Sequence, residues 1–291
     1  MAYTRILSKG AGNKQFHLPA IICYTTLLVT CFLLSAPAIS SNDQNEINEE
    51  IESEDSGPAL SVNEPVYFAV GGSRDMKARF QFSFKYRIFD QDSWIVEKAN
   101  WLSSTHFSYT QTSLWNLSQE SAPFEDTSYK PSLFWDTYTH KEGAFPAYIR
   151  TGVEHESNGQ SGDESRSLNT AYVWPFWVGE WHGRQLLLAP KAYAYLSKDD
   201  NNRNIEEYRG NVDLNLEYGT EDSWLLASMF RYGGGGRGSV QLDLSYPIRT
   251  KIFARTGGYI FAQLFNGYGE SLITYDEHQD TQLRIGFAIV R

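Results

Sequence analysis

Cysteine is nearly absent from this chain of 291 residues. The two that occur, Cys23 and Cys31, both lie in an apolar segment near the N-terminus. The sequence beyond that segment therefore cannot form a disulfide, a thiolate metal site or a cysteine nucleophile. Its fold must be stabilised by something other than disulfides.

Long apolar runs and an excess of basic charge are also missing. After residue 38 no apolar run approaches the roughly 18 residues that a transmembrane helix requires. Lys and Arg number 25 against 35 Asp and Glu, which gives a formal net charge of −10. Without a basic patch, the chain is not expected to bind nucleic acid.

The N-terminal region has the organisation of an exported protein. Arg5, Lys9 and Lys14 precede an apolar stretch, and Ala36-Pro37-Ala38 offers a cleavage site after small residues. We predict a signal peptide over residues 1–38. Residues 39–64 contain eight acidic residues and no Lys or Arg, so we predict an acidic, disordered segment there. The folded domain is then expected at 65–291.

Period-two alternation of apolar and polar residues dominates this domain. In the stretch 79–89, for example, Phe80, Phe82 and Phe84 alternate with Gln81 and Ser83. Strict alternation over eight or more residues predicts a strand with one apolar face. Together with weaker segments, the pattern predicts twelve strands, at 79–89, 105–117, 128–137, 145–157, 166–179, 185–197, 211–218, 223–232, 239–246, 252–264, 268–275 and 282–290.

The composition of the two strand faces favours a membrane barrel. Large aromatic residues occupy the apolar face, and no second sheet is predicted to cover them. In a membrane barrel that face contacts lipid, while the charged face lines the lumen. We therefore predict an all-β fold, a twelve-stranded antiparallel transmembrane β-barrel. A periplasmic β-sandwich has the same periodicity and remains an alternative.

One strand carries a candidate catalytic pair. In the stretch 145–157, His155 and Ser157 share a face that alternation turns outward, because Glu154 and Glu156 belong to the charged, inward face. An imidazole beside a hydroxyl is the base–nucleophile pair of acyl transfer. Asn169, on the following strand, can hold the imidazole if the hairpin closes with near-symmetric register. The alternative is a polar strand end at the depth of the lipid headgroups.

Several motifs carry a family resemblance. His155-Glu156-Ser157-Asn158-Gly159, followed by Ser165-Arg166-Ser167 and Asn169, resembles the signature of the outer-membrane phospholipase A family. The similarity continues at 244–248 and 267–273, and it covers essentially all of 77–291. It implies a twelve-stranded outer-membrane barrel that hydrolyses phospholipid acyl esters with calcium and is active as a homodimer.

The resemblance also implies individual roles. Ser157 would be the nucleophile, His155 the general base and then acid, and Asn169 the residue that orients His155. Calcium fits this chemistry, because a cation with hard oxygen ligands can stabilise the oxyanion of the transition state. The implied ligands are Ser165, the carbonyl of Gln160, Asp200 and the partner subunit's Ser121. Gln111, on the outward face of the strand at 105–117, would pair across the dimer interface.

Three positions depart from the family pattern. Gln160 stands where the family commonly has Arg, and Gly162 where an Asp is often found. The sequence ends in Val290-Arg291 without the terminal aromatic of outer-membrane barrels. Two rival functions stay open at this point, an acyl hydrolase acting on lipopolysaccharide and a non-catalytic channel.

Overall fold

The computed structural model describes residues 58–139, 145–248 and 257–291. The predicted signal peptide and most of the acidic segment lie outside these residues, as does the first part of the strand predicted at 252–264. Two short α-helices occur among these residues, α1 (Trp94–Lys98) and α2 (Glu206–Arg209). The strands are β1 (Leu60–Ser61), β2 (Val66–Gly72), β3 (Lys77–Arg87), β4 (Thr105–Asn116), β5 (Phe124–Tyr138), β6 (Tyr148–Ser157), β7 (Ser167–Trp181), β8 (Arg184–Lys198), β9 (Val212–Gly219), β10 (Leu225–Tyr232), β11 (Gly238–Pro247), β12 (Tyr259–Gly267) and β13 (Gln279–Val290).

Strands β2 to β13 form a closed antiparallel barrel of twelve strands. Each pairs with its neighbour in sequence, and β13 pairs with β2 through registers such as Phe287↔Phe68. Closure leaves no second sheet, which excludes the β-sandwich and confirms the predicted fold class. No helix among the described residues is long and apolar enough to cross a membrane.

The two faces of the barrel wall have opposite polarity. On β13, Arg284 is fully buried inside, whereas the adjacent Ile285 is 62% exposed on the outer surface. The outer surface carries many more large apolar side chains, among them Val153, Phe230 and Phe287. This is the arrangement expected of a barrel that faces lipid.

Ion pairs fill much of the lumen and leave a cavity of about 580 Å³. The Glu270 carboxylate accepts from Arg284 at 2.6 Å and from Arg79 at 3.4 Å. The Arg150 guanidinium donates two hydrogen bonds to Asp136, at 2.8 and 2.9 Å. Because every one of these groups is buried, the charges are stabilised by each other and not by water.

The end of the acidic segment also enters the lumen. β1 pairs with the C-terminal end of β3 (Leu60↔Tyr86). The Asn63 side chain accepts a hydrogen bond from Arg150 Nη1 at 2.9 Å. Glu64 forms an ion pair with Lys130 at 3.6 Å. Residues 60–64 thus contact the strands of the barrel.

One predicted strand is wrong, and one strand of the barrel was missed. Residues 268–275 form a folded connection, in which Gly269 has a φ of +73° that extended backbone does not allow. The twelfth strand is β2, whose sequence Val66-Tyr67-Phe68-Ala69-Val70 is apolar on both faces. Without alternation it gives no period-two signal.

Antiparallel order gathers every second connection at one end of the barrel. We call this end the upper rim; it carries residues 73–76, 117–123, 158–166, 199–211, 233–237 and 268–278. All the predicted site residues therefore lie on the upper rim or on strand ends that reach it.

Candidate active site

His155 and Ser157 lie on the outer surface of β6. Their neighbours Glu154 and Glu156 line the luminal cavity, as does Arg150 lower on the strand. Because successive side chains of a strand point to opposite faces, His155 and Ser157 face outward. The structure therefore confirms the sequence prediction that Glu154 and Glu156 face the lumen and that His155 and Ser157 face outward.

The β6–β7 hairpin places Asn169 directly opposite His155. His155 Nδ1 lies 2.9 Å from Asn169 Oδ1. Since an amide oxygen only accepts, Nδ1 is the donor of this hydrogen bond, and in the neutral imidazole Nε2 is then the acceptor nitrogen. Alternation could not decide the face of Asn169, but its neighbours Leu168 and Thr170 line the lumen, so Asn169 points outward.

Ser197 is a site residue that sequence reasoning missed. Asn169 Nδ2 donates to Ser197 Oγ at 2.7 Å, which fixes the orientation of the amide. Asn169 pairs with Ser197 while Thr170 pairs with Tyr195, so Leu196 is an extra residue in β8. Simple alternation would put Ser197 on the luminal face with Tyr195. The bulge turns it outward to Asn169, and bulges of this kind are common beside functional sites.

Ser197→Ala is expected to lower the kcat of ester hydrolysis by about five- to tenfold, since one neutral hydrogen bond contributes about 1 kcal/mol. The Asn169 amide would lose the contact that keeps Oδ1 toward His155. Steady-state kinetics in mixed micelles measure the effect. Ser228→Ala serves as control. Ser228 lies on β10, away from this site, and its hydroxyl donates a comparable hydrogen bond to Leu216 O on β9 at 3.2 Å. Equal losses in the two variants would contradict the role given to Ser197.

Ser157 ends β6, opposite Ser167 on β7 and Tyr129 on β5. It is two residues from His155 on one face, a Cα spacing of about 6.5–7 Å in a strand. Among the described residues, no hydrogen bond joins the Ser157 side chain to His155. Catalytic contacts of this kind often tighten only when substrate is bound.

Asn158 organises the connection that follows Ser157. This residue is almost fully buried, and its Nδ2 donates to Glu164 O at 2.8 Å. Its Oδ1 accepts from the backbone N–H groups of Gln160 and Arg166, at 3.3 and 3.0 Å. One side chain thus holds the two ends of the connection 158–166 together. Gly159, the next residue of the connection, has a φ of +69°.

The implied calcium ligands lie on the upper rim but are not all together. Ser165 Oγ donates to Asp199 Oδ2 at 3.1 Å. Asp200 turns to solvent and pairs with Arg203 at 2.7 Å, so Asp199 is the carboxylate that contacts Ser165. Ser121 lies in the connection 117–123, with an exposed side chain and a φ of +64°.

The donor chemistry of the connection 158–166 fits calcium. Its oxygens already face a positive charge, because Arg166 Nη1 donates to Asp163 O at 2.7 Å and to Ser165 O at 2.8 Å. The described residues contain no cluster of three or more His, Cys, Asp or Glu side chains suited to a metal. A cation here would rely mainly on carbonyl and hydroxyl oxygens, which are ligands that calcium accepts.

Gln111 lies on the outer surface of β4, as the sequence predicted. Its Oε1 accepts from Tyr109 OH at 3.1 Å, and its Nε2 donates to Ser113 Oγ at 3.4 Å. The three side chains form a polar strip on a wall that is otherwise apolar. A polar group on a lipid-facing surface is unfavourable unless it finds further partners.

Comparisons with known proteins find relatives of a single family. A family model described as Phospholipase A1 matches residues 33–289. Outer membrane phospholipase A from Escherichia coli is similar in structure, with a TM-score of 0.67 and 27% identity over 80% of this chain and 99% of that chain. An outer membrane phospholipase dimer from Salmonella typhi with bound calcium also has a TM-score of 0.67, with 26% identity over 80% of this chain and 92% of that chain.

Curated relatives match over a shorter part of their length. Phospholipase A1 of Escherichia coli K12 is 35% identical over 184 residues, which is 62% of this chain and 60% of the relative. A relative from Neisseria meningitidis is 33% identical over 221 residues, 72% of this chain and 54% of its own length. The chain therefore spans little more than half the length of these relatives.

Proposed function

The chain belongs to the phospholipase A1 family, and on that premise we propose that it is a calcium-dependent phospholipase of the bacterial outer membrane. Its substrates would be the acyl esters of glycerophospholipids and lysophospholipids, cleaved at either acyl position. The observation that carries the proposal is the outward-facing hairpin of His155 and Asn169, joined at 2.9 Å, with Ser157 on the same face. A site on the outer wall meets an ester that lies in the bilayer.

Each residue of this face has a chemical role. The Ser157 hydroxyl attacks the acyl carbonyl carbon, and His155 Nε2 takes the hydroxyl proton. An acyl-enzyme ester forms as the alkoxide leaves with that proton, and water then repeats the sequence to release the fatty acid. Asn169 keeps Nδ1 protonated and aligned throughout. A neutral amide suits this position, because desolvating a carboxylate against lipid is unfavourable.

The connection 158–166 is the proposed calcium-binding segment. The carbonyl of Gln160, the hydroxyl of Ser165 and a carboxylate of the 199–200 pair would hold the ion, with the partner subunit's Ser121 completing the set. A bound calcium ion supplies positive charge for the developing oxyanion. This arrangement requires a homodimer, and the outward polar strip at Gln111 is the proposed contact between subunits. The calcium-bound dimer from Salmonella typhi supports both elements.

Two other functions are less well supported. A lipopolysaccharide acyl hydrolase would use the same pair of side chains on a different lipid. A passive channel would need an open lumen, whereas ion pairs and residues 62–65 occupy much of this one. Fatty acid release from phospholipid vesicles and from lipopolysaccharide, measured side by side, separates the two hydrolases. Conductance in planar bilayers without any hydrolysis would favour the channel.

Chelation of calcium is expected to lower fatty acid release by about a hundredfold, the usual effect of losing an oxyanion stabiliser. The purified protein in detergent would be treated with EDTA and then with excess calcium. In parallel, a sulfonyl-fluoride probe should modify Ser157 in calcium and leave it unmodified in EDTA, as mapped by mass spectrometry. Unchanged hydrolysis in EDTA, or a label at another residue, would contradict the proposal.

A further inference from the structure

Glu156 is the residue between the two members of the proposed base–nucleophile pair, and its side chain points the opposite way. Inside the lumen its carboxylate accepts from Ser128 Oγ at 2.7 Å and from Arg209 Nη1 at 2.9 Å. Glu156 and Arg209 are both buried. The backbone between His155 and Ser157 is therefore anchored from within the barrel.

Arg209 reaches this position from the upper rim. It is the last residue of α2, and its Nη2 lies 3.5 Å from Gly269 O. A Cβ atom at Gly269 would lie 2.9 Å from Arg209 Cγ and 3.1 Å from its Nε. The positive φ of +73° and this close approach both favour glycine at 269. The motif at 267–273, which the catalytic proposal does not use, thus forms the surface on which Arg209 rests.

The connection that carries Gly269 is itself held firmly. Glu270 pairs with Arg284 and Arg79, and Asp126 Oδ2 accepts from the backbone N–H groups of Leu272 and Ile273 at 2.8 and 3.0 Å. Leu272 is fully buried in a cluster with Leu168, Ile205 and Tyr275. Tyr275 OH donates to Asn204 Oδ1 at 2.6 Å, and desolvation raises the pKa of this phenol, which keeps the donor protonated.

We infer that the ion pair between Glu156 and Arg209 positions His155 and Ser157 for the proposed reaction. Gly269 supports Arg209, because only a residue without a side chain leaves room for it. The inference rests on the proposed function. Side chains at positions 155 and 157 move with the backbone at 156, because one rigid peptide plane joins residue 156 to each of these neighbours. A buried anchor at 156 therefore fixes the strand rotation that brings imidazole and hydroxyl together. Small errors in such an alignment slow the chemical step far more than they weaken substrate binding.

Glu156→Gln tests the anchor without changing its volume. The full-length protein in mixed micelles with calcium should show a kcat lower by about tenfold or more, with KM within about twofold of the wild type. The rate of Ser157 modification by the sulfonyl-fluoride probe should fall in parallel. Glu154→Gln is the matched control, since Glu154 is two residues earlier on β6, faces the same lumen and pairs with Lys191 at 3.1 Å. Its kcat should stay within about twofold of the wild type, because Glu154 adjoins only His155 and pairs with Lys191 instead of Arg209.

Gly269→Ala is expected to disturb the same Glu156–Arg209 contact, because the added Cβ would press on Arg209 from the connection 268–278. It should also lower kcat with little change in KM, and it provides a second route if Glu156→Gln does not fold. Gly235→Ala is its control, since Gly235 has a φ of +67° on the same rim and a Cβ there would meet Arg237 no closer than 3.6 Å. Combining Glu156→Gln with Gly269→Ala should lower kcat no further than the worse single change, because both act through Arg209. Folding of every variant is checked by electrophoretic mobility without heating.

The possible results separate this inference from the proposed function. If the wild type hydrolyses phospholipid and Ser157 takes the label, but Glu156→Gln matches Glu154→Gln in kcat, the positioning role is overturned while the function stands. Fully additive losses in the double variant would also overturn it. If the wild type releases no fatty acid from phospholipid, the proposed function fails and the inference fails with it.

Discussion

Ser157→Ala is expected to reduce the kcat of phospholipid ester hydrolysis by about 10⁴-fold or more, because loss of the nucleophile removes the covalent route entirely. The hydroxyl is half-buried on the outer wall and supports no ion pair of the lumen. The barrel should therefore unfold at the same guanidinium concentration as the wild type. Fatty acid release in detergent with calcium, followed over hours, measures the residual rate.

The control for this change is Ser167→Ala, which removes the hydroxyl directly across the β6–β7 ladder from Ser157. Its kcat should stay within about threefold of the wild type, as expected for a residue outside a triad. A folded Ser157→Ala protein that retains a tenth of the activity would refute the assignment. So would equal losses in the two variants.

Arg150→Met is expected to destabilise the barrel by about 3–5 kcal/mol, the usual effect of removing one partner of a buried ion pair. The change leaves the Asp136 carboxylate, only 2% exposed, without its two hydrogen bonds from Arg150. It also removes the guanidinium that lies 3.8 Å from the centre of the Phe134 ring and the donor to Asn63. Guanidinium-induced unfolding from lipid vesicles, followed by tryptophan fluorescence, measures the free energy.

Two comparisons isolate the buried charge in that experiment. Arg74→Met breaks a pair with Asp280 in which both side chains are mostly exposed, and it should change stability by less than about 1 kcal/mol. Adding Asp136→Leu to Arg150→Met should recover much of the loss, because no unpaired carboxylate then remains. A loss below 1 kcal/mol for Arg150→Met alone would show that water reaches this part of the lumen.

The outer face of β6 was predictable because alternation is a local property. Glu154 and Glu156 are polar residues of a strand whose other face is apolar around Val153, so the orientation of His155 and Ser157 follows from the sequence. The same reasoning gave the closed barrel and the place of Gln111 on its outer wall. The family resemblance named Asn169, but alternation could not assign its face, because β7 is apolar on both sides.

The contacts that surround His155, Ser157 and Asn169 were not predictable from the sequence. Ser197 reaches Asn169 only because Leu196 is an extra residue in β8, and a bulge has no period of its own. Asp199 and not Asp200 contacts Ser165, which depends on how one short turn packs on another connection. The connection 268–278 resembled a strand in composition, yet Gly269 and the two N–H groups bound by Asp126 hold it folded.

The sequence by itself determined the strand pattern, the polarity of the two wall faces and the outward direction of His155 and Ser157. These properties depend on residues one or two positions apart, and backbone geometry fixes them. Only the tertiary structure decided the hairpin register at His155 and Asn169, the packing of Arg209 against Gly269 and the pairing of charged side chains in the lumen. Those contacts join residues up to 191 positions apart (Arg79 and Glu270), and they form only when the barrel closes.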